Sequence, residues 1–316
     1  MSTAIDLRDV TREFRVRGRR VIRAVDALSL HVADGEAVGF VGANGAGKST
    51  TIKMLTGILT PTRGEVRVLG RRPVPERRHL AREIGVVFGQ RSQLWWDLPL
   101  QESFTILGAM HGLGHRELSA RRERLVEGLG LAGFLDRPVR QLSLGQRMRG
   151  EVAAALVHSP SLVILDEPTI GLDMISKEGL RRFLQADRAE RGTTIVLTTH
   201  DMADVERLCE RIVVVSHGRT AYDGTLAGLR SSLASPRELV LDLVEPHPCL
   251  DLPDGVEQVS IEADGLRHRL RFSGTEHSAA AVLAHVSRRV EVADLTLTEP
   301  AIEDLVRQIF ARRMEQ

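Results

Sequence analysis

The stretch Gly42-Ala43-Asn44-Gly45-Ala46-Gly47-Lys48-Ser49-Thr50 decides how the rest of the chain is interpreted. It follows the apolar run 37–41, which is typical of a buried strand, and it precedes residues 51–55, which begin a helical pattern. A strand, a glycine-rich loop and a helix with this spacing form a P-loop. The glycines let successive backbone N–H groups converge on one anion, and the helix N-terminus adds its own unpaired N–H groups. The sequence therefore predicts a phosphate-binding site.

Two side chains of this loop are suited to bind a nucleotide triphosphate and a metal ion. Lys48 is expected to reach the β- and γ-phosphates, and the Ser49 hydroxyl is expected to ligate Mg²⁺. A chance match on a flexible glycine loop is the alternative, and the strand before it and the helix after it argue against that interpretation. The remaining nucleotide-binding candidates of the loop are Gly42, Asn44, Gly45, Ala46, Gly47 and Thr50.

A second motif lies about 120 residues downstream, where the apolar run 162–165 ends in Asp166 and Glu167. In a P-loop ATPase the first carboxylate holds Mg²⁺. The second is placed to orient and deprotonate the attacking water. Alone, an apolar strand followed by two acidic residues is common and carries little information. Downstream of a P-loop it predicts Asp166 as a metal ligand and Glu167 as the catalytic base.

Two aromatic residues are further candidates for contact with the nucleotide. His200 ends the apolar run 194–199, and in open α/β sheets the ligand lies at the carboxyl ends of the strands. Its ring is therefore a candidate donor to a γ-phosphate, and an ordinary surface or capping histidine is the alternative. The ring of Phe14 is a candidate for stacking on a purine or for packing in the core.

Length, charge and composition narrow the class of protein to which the chain can belong. A chain of 316 residues, 42% of them hydrophobic, is expected to form two domains. The net charge of +1 produces no global field toward nucleic acid or an anionic bilayer, and the arginine-rich turn 17–20 is expected to be a solvated hairpin end. Cys209 and Cys249 lie far apart, which suits a reducing cytosol without a disulfide framework. Residues 1–6 do not resemble a signal peptide, and no run of about 18 apolar residues predicts a membrane span.

A turn-rich stretch, residues 224–236, lies at the boundary between the predicted domains 1–222 and 223–316. Residues 4–16 and 21–32 are predicted to form antiparallel strands, and apolar recurrences at three and four predict helices across about 101–140. The second predicted domain is a small α+β domain without a catalytic constellation. Its predicted strands are 238–244, 256–262, 266–272 and 290–297, and its predicted helices are 278–288 and 300–313.

One more motif carries a family resemblance. The stretch Leu142-Ser143-Leu144-Gly145-Gln146 lies shortly before Asp166, where the ATP-binding cassette (ABC) ATPases carry their Leu-Ser-Gly-Gly-Gln signature. The chain resembles these ATPases over residues 4–222. Five motifs occur in the family's order, namely the P-loop at 42–50, a Q-loop glutamine at Gln90, the signature at 142–146, the pair Asp166-Glu167 and the switch histidine His200.

The resemblance implies an α/β fold of the P-loop NTPase class. An ABC cassette has a mixed β core sheet with helices, an antiparallel β subdomain and a helical signature subdomain, here expected at about 95–150. The small α+β domain would follow it toward the C-terminus. The resemblance also implies ATP and Mg²⁺ as ligands and ATP hydrolysis as the activity.

The resemblance assigns roles to residues outside the P-loop as well. Gln90 is implied to serve both catalysis and Mg²⁺ binding. Two copies are implied to meet head to tail, so that the signature of one chain contacts the ATP held by Lys48 of the other. The residues implied to contact nucleotide in this way are Ser143, Gly145, Gln146 and, from a D-loop at 171–173, Asp173.

The chain departs from the family pattern at two positions. Leu144 replaces the first glycine of the signature, and Gly171 stands where many members have alanine in the D-loop. Ser143 and Gly145, whose hydroxyl and backbone the family uses on the nucleotide, are both present. Leucine has less backbone freedom than glycine, so the contact geometry at Leu144 is left open.

The stretch 87–99 contains both tryptophans of the chain, Trp95 and Trp96, and is similar to the Q-loop of a bacterial subgroup that serves ABC-2-type exporters. Neighbouring side chains point to opposite faces of a strand or about 100° apart on a helix, so one core cannot easily bury both rings. At least one is expected at a surface, where tryptophan is a frequent interface anchor. The resemblance implies a membrane permease as the partner there, and packing of both rings inside the helical subdomain is the alternative.

The predicted function is the ATP-hydrolysing subunit of an ABC-2-type exporter, cytoplasmic and peripheral on the inner face of a bacterial cell membrane. Its expected partners are a second copy or a homologous subunit and an integral membrane permease, with no nucleic acid. The C-terminal domain is expected to support dimerisation or regulation. An importer ATPase is an alternative that only the tryptophan stretch disfavours. A soluble ABC ATPase acting on the ribosome or on DNA is another, but the chain shows one cassette and no sustained heptads.

Overall fold

The computed structural model describes residues 2–15, 21–89, 92–232, 236–274, 276–298 and 302–314. The chain divides into two compact units, Met1–Gly224 and Thr225–Gln316. The arginine-rich turn at 17–20 and the glutamine Gln90 lie outside the described residues.

A six-stranded sheet forms the centre of the first unit, with strand order β5-β6-β7-β3-β8-β9. The first five of these strands run parallel where they pair, and β9 follows β8 after a two-residue connection, which only antiparallel strands can use. The sheet is therefore mixed. Its strands are β3 (Ala37–Gly42), β5 (Ile84–Val87), β6 (Leu162–Asp166), β7 (Thr194–Thr198), β8 (Arg211–Ser216) and β9 (Arg219–Thr225).

The central strands are apolar because both faces of the sheet are covered. Every residue of β3 and of β7 is buried, as are all residues of β6 except its last, Asp166. Such continuous apolar runs are typical of a parallel sheet with helices on both faces. Because β6, β7 and β3 are neighbours, their carboxyl ends bring Asp166, Thr198 and Gly42 to one edge of the sheet.

A separate antiparallel sheet of three strands, in the order β2-β1-β4, contains the predicted N-terminal strands. Its strands are β1 (Thr3–Arg15), β2 (Val21–Ala33) and β4 (Arg63–Val68). The buried side chains of this sheet share one apolar cluster with residues of β3 and of the helix α1 (Lys48–Leu55). The helix that follows the P-loop is thereby packed between the two sheets.

The helical part of the first unit is more broken than the sequence predicted. The predicted helical region 101–140 contains two helices, α3 (Leu100–His111) and α4 (His115–Gly128), followed by two short 3₁₀ turns. The break comes at Gly112, which ends α3 in the left-handed conformation with φ 76°. The remaining helices of this unit are α2 (Arg77–Glu83), α5 (Leu144–Leu156), α6 (Met174–Arg191) and α7 (Met202–Leu208).

The second unit is an antiparallel sheet with helices. The strand order is β11-β12-β10-β13, and its core is formed by apolar residues of the sheet together with Val282 and Val286 of α9. The predicted strands and helices of this region are all present within two residues at most ends. The elements are α8 (Leu226–Ser232), β10 (Pro236–Leu243), β11 (Val256–Glu262), β12 (Arg267–Ser273), α9 (Ala279–Val286), β13 (Val292–Thr298) and α10 (Ile302–Met314).

Across the described ranges, no helix has both the length and the apolar character needed to cross a bilayer.

Candidate nucleotide-binding and hydrolysis site

A cleft of about 570 Å³ lies in the first unit at the carboxyl ends of β3 and β6. It brings together side chains from three of the sequence motifs and one from β1. The predicted site residues that line it are Phe14, Asn44, Lys48, Ser49, Thr50, Asp166, Glu167 and His200. Residues far apart in sequence therefore share one cavity.

The P-loop backbone has the conformation that an anion site requires. Gly47 precedes α1 with φ 107°, and a Cβ at this position would lie 2.5 Å from the carbonyl oxygen of Ala24. Only glycine fits such a position. Among the described residues, no side chain caps the N-terminus of α1. Its first N–H groups are thus available to a phosphate, which fits a bound nucleotide.

Lys48 is held inside the P-loop. Its Nζ donates hydrogen bonds to the carbonyl oxygens of Gly42 and Ala43, the latter at 3.1 Å. Burial lowers the pKa of Lys48, and the charges of Glu167 and Asp166 oppose that change. The ammonium therefore already lies within the loop that would surround the phosphates, and exchanging carbonyl acceptors for phosphate oxygens would need little movement.

Asp166 and Ser49 offer the kind of ligands that Mg²⁺ prefers. Asp166 ends β6, and the Thr198 hydroxyl donates to its Oδ1, which fixes the orientation of the carboxylate. Ser49 lies at the start of α1, is exposed and lines the same cleft. Carboxylate and hydroxyl oxygens are hard donors that suit a small divalent cation. The donor set therefore fits Mg²⁺.

Glu167 and His200 form a close pair at the edge of the cleft. The Nε2 of His200 lies 3.3 Å from Oε1 of Glu167, and the backbone N–H of His200 donates to Oε2 at 3.4 Å. Burial raises the pKa of Glu167, and Asp166 adds to that increase, whereas His200 and Lys48 lower it. A carboxylate whose pKa is raised in this way is better suited to accept a proton near neutral pH.

The backbone of Glu167 is in an unusual conformation. Its φ is 55°, in the left-handed region, although the residue is not glycine. Its N–H donates to the carbonyl oxygen of Thr198 at 2.9 Å. Such conformations persist at functional sites where the surrounding structure holds them in place.

Phe14 lies at the wall of the cleft rather than deep in the core. Its side chain is half-buried, and the guanidinium of Arg12 lies 4.7 Å from the centre of its ring. A ring in this position can stack on a base, so the stacking role stays a prediction.

Gln90 lies outside the described residues, and its predicted role stays a prediction. The residues that follow it are anchored to the signature helix α5. Ser92 donates to the Glu151 carboxylate, and the N–H of Gln93 donates to the same carboxylate at 3.1 Å. Burial raises the pKa of Glu151, and these two hydrogen bonds lower it.

The signature and D-loop residues cap helices and stay outside the cleft. Ser143 and Gln146 form a reciprocal capping box at the start of α5, with bonds of 3.2 and 3.0 Å. Asp173 caps α6 by accepting the Ser176 N–H at 2.8 Å, and that bond lowers its pKa. Among the described residues that line the cleft, none comes from the stretches 142–146 or 171–173.

The structure adds residues that the sequence interpretation did not identify. The cleft is also lined by apolar side chains that carry no motif, which are Ile52, Ile58, Leu59, Phe88 and Ile170. Thr198 was missed as the partner of Asp166. Its position at the end of an apolar strand, next to Thr199 and His200, was the available signal.

The two tryptophans differ in exposure, in agreement with the prediction that one core would not bury both. Trp96 is 50% exposed, whereas Trp95 is half-buried. The Arg147 guanidinium lies 5.5 Å from the Trp96 ring, and the Trp96 carbonyl accepts the Arg140 N–H at 2.9 Å. Trp96 therefore contacts the residue that directly follows the signature stretch.

The chain is similar in sequence to known proteins, both over part of the first unit and over most of its length. Residues 25–170 match the ABC transporter family. The chain is 35% identical over 228 residues to the ABC transporter ATP-binding protein NatA of Bacillus subtilis (strain 168), which covers 72% of this chain and 92% of the relative. It is 36% identical over 297 residues to the Nod factor export ATP-binding protein I of Rhizobium meliloti, covering 94% of this chain and 77% of the relative.

A solved structure is similar in fold. The dimeric post-hydrolysis state of the ATP-binding cassette MJ0796, bound to ADP and Pi, superposes with a TM-score of 0.62 at 30% identity. The match covers 70% of this chain and 98% of that cassette.

Proposed function

This chain belongs to the ABC transporter ATP-binding proteins, which hydrolyse ATP, and we propose that it drives export through a separate membrane permease of the ABC-2 type. The observation that carries the catalytic part of the proposal is the cleft itself. It joins Lys48, Asp166 and the pair Glu167–His200 at one edge of the sheet. These are the groups that phosphoryl transfer to water needs.

In the proposed reaction the P-loop N–H groups and Lys48 bind the β- and γ-phosphates of ATP. Ser49 and Asp166 would hold Mg²⁺, which neutralises phosphate charge when bound. The Glu167 carboxylate accepts a proton from water as the water oxygen bonds to the γ-phosphorus and the bond to the ADP oxygen breaks. His200 holds Glu167 in place and is positioned to donate to the γ-phosphate. Gln90 is proposed to assist at the metal ion.

We propose that two copies, or this chain and a homologous subunit, form a head-to-tail dimer around ATP. None of the described residues that line the cleft is Ser143, Gly145, Gln146 or Asp173, which supports this arrangement, because in a head-to-tail dimer these residues would contact the nucleotide of the partner instead. The dimeric state of a similar cassette also supports it. ATP would bridge the two chains, and its hydrolysis would remove the bridge.

The exporter assignment rests on the Nod factor export relative and on the Trp95-Trp96 stretch. We propose that the permease contacts this stretch, since Trp96 is exposed and touches Arg147 beside the signature. The protein would then work at the cytoplasmic face of a bacterial membrane through its permease. The first unit is the proposed cassette, and the second is proposed to support dimerisation or regulation.

The test is the variant Glu167→Gln, which keeps the shape of the side chain and removes its charge. Hydrolysis should fall by about 10²–10⁴-fold. Light scattering should show a dimer with Mg-ATP and a monomer with ADP. Glu123→Gln, an exposed matched change on α4, should behave as wild type. Lys48→Ala should lose tight Mg-ATP binding.

Two results would contradict the proposal. A Glu167→Gln protein that hydrolyses ATP at the wild-type rate would exclude Glu167 as the base. One that stays monomeric with Mg-ATP while hydrolysis is blocked would exclude the ATP-bridged dimer in the isolated subunit.

A further inference from the structure

A fully buried carboxylate lies behind the catalytic pair. Asp204, on α7, has no exposed surface. Its Oδ1 accepts hydrogen bonds from the Arg181 guanidinium, with Nε at 2.7 Å. Its Oδ2 accepts the Thr169 hydroxyl at 2.5 Å and the Thr199 hydroxyl at 3.3 Å. One oxygen of Asp204 therefore balances an arginine, and the other joins two threonines.

These two threonines flank the catalytic pair. Thr169 lies two residues after Glu167, and Thr199 directly precedes His200. The two loops that carry the proposed base and its histidine are thus tied to the same oxygen atom. The Thr199 hydroxyl also accepts the N–H of Asp201 at 3.0 Å, which orders the beginning of α7 beneath the site.

The conformation of Glu167 makes the bonds from Thr169 and Thr199 to Asp204 relevant to catalysis. A non-glycine residue with φ 55° is disfavoured and is kept only where neighbouring contacts hold it. The backbone bond from Glu167 to Thr198 holds one side of the residue, and the Thr169–Asp204 bond holds the chain just beyond it. Releasing Thr169 would let the Glu167 side chain move relative to His200.

A second buried network in the same unit contains the same types of groups, an aspartate, an arginine and a threonine, and serves as a comparison. Asp187 binds the Arg121 guanidinium at 2.9 Å through Oδ1 and accepts the Thr193 hydroxyl at 3.2 Å through Oδ2. Thr193 is buried like Thr199, but it precedes the amino end of β7, whereas Thr199 follows the carboxyl end. Of the described residues that line the cleft, none is bonded to Asp187, Arg121 or Thr193.

We propose that Asp204 is a positioning residue for ATP hydrolysis, which sets the distance between Glu167 and His200 by binding Thr169 and Thr199 through one oxygen. This inference rests on the proposed function. Asp204 is buried away from the cleft and acts only through the two loops.

The test uses threonine-to-valine changes, which keep the volume of the side chain and remove the hydroxyl. In Thr169→Val and Thr199→Val, kcat should fall about tenfold or more, because small misplacements of a catalytic group are costly. The KM for Mg-ATP and the affinity for nucleotide should stay within about twofold of wild type. Thr169→Ser, which restores a donor, should recover most of the activity.

The matched control is Thr193→Val, which removes the same type of bond to a buried aspartate at the other end of β7. It should lose comparable thermal stability while keeping the wild-type kcat. If the Thr169 and Thr199 variants lose no more kcat than Thr193→Val, the positioning role is overturned, and the proposed function stands as long as Glu167→Gln is inactive. If the wild-type protein does not hydrolyse Mg-ATP, both proposals are overturned.

Discussion

The Leu144 side chain fills the space beside the α-carbon of Gly171. A Cβ at residue 171 would lie 2.6 Å from both Cδ2 and Cγ of Leu144, and Gly171 has φ 73°. These two residues are the two departures from the ABC pattern in the sequence, and they are in contact. With Leu144 in this position, a side chain at residue 171 would force Leu144 to move, so a glycine in the D-loop suits a leucine in the signature.

This contact predicts non-additive stability effects. Gly171→Ala should lower the free energy of unfolding by about 1–2 kcal/mol, since it adds a clash with Leu144 to an unfavourable positive φ. Leu144→Ala should remove the two closest contacts and leave only the residue 144 Cβ, at 3.2 Å, so the double variant should be less destabilised than the sum of the single ones. Urea unfolding of the four proteins measures this coupling.

Gly179→Ala is the control for this cycle. Gly179 lies inside α6 with open space around its Cβ position, so alanine there should raise stability by about 0.5–1 kcal/mol. Strict additivity between positions 144 and 171 would show that the contact carries no energy.

If the proposed permease contact is correct, Trp96→Ala should weaken assembly with the permease while changing the fold little. The variant loses the cation–π contact between the Trp96 ring and Arg147. Such a contact contributes about 0.5–1 kcal/mol at an exposed site. Trp95→Ala is the comparison, because the more buried ring should affect thermal stability more than assembly. Co-purification with the permease in mild detergent and thermal unfolding measure the two effects. A Trp96→Ala protein that assembles fully would remove this ring from the interface.

The decrease in kcat at acidic pH should reflect protonation of Glu167. Because burial raises its pKa above the ordinary glutamate value, kcat should fall as the pH decreases through that raised pKa and the base becomes protonated. His200 lowers this pKa, so His200→Ala should move the midpoint of its residual activity to higher pH. His115→Ala, at an exposed position on α4, should leave the midpoint unchanged. A shift to lower pH in His200→Ala would contradict the pairing of the two residues.

The loss of folding stability at acidic pH should reflect protonation of His158. Its ring stacks on His111 with centroids 3.8 Å apart, and burial lowers the pKa of His158 from 6.5 to about 4. Between these values the unfolded chain binds more protons than the folded one, so stability is full above pH 6.5 and is lost as the pH falls toward 4. The loss between pH 7 and pH 5 should be about 2 kcal/mol.

His158→Gln isolates this contribution. Glutamine can keep the bond that the His158 Nε2 makes with the Ile84 carbonyl oxygen at 3.0 Å, but it does not titrate. The difference in unfolding free energy between pH 7 and pH 5 should shrink by about 2 kcal/mol relative to wild type. An unchanged difference would assign the acid sensitivity to other groups.

The sequence by itself determined the features that local patterns encode. The P-loop, the Asp166-Glu167 pair and the order of strands and helices follow from residue types at fixed spacing and from apolar periodicities of 2 and 3.6. These are properties of short segments, so they could be identified without any tertiary contact. The same reasoning anticipated that the carboxyl ends of neighbouring parallel strands would gather the site residues.

Only the tertiary structure decided which side chains meet across those segments. Thr169 binds Asp204 across 35 residues of sequence, and Leu144 covers Gly171, although no sequence pattern indicates that the two members of either pair are in contact. The fold also separates the signature from the cleft of its own chain. Such contacts depend on strand order and on close packing between elements, where a shift of one ångström makes or breaks a hydrogen bond, and periodicity along the chain carries no information at that scale.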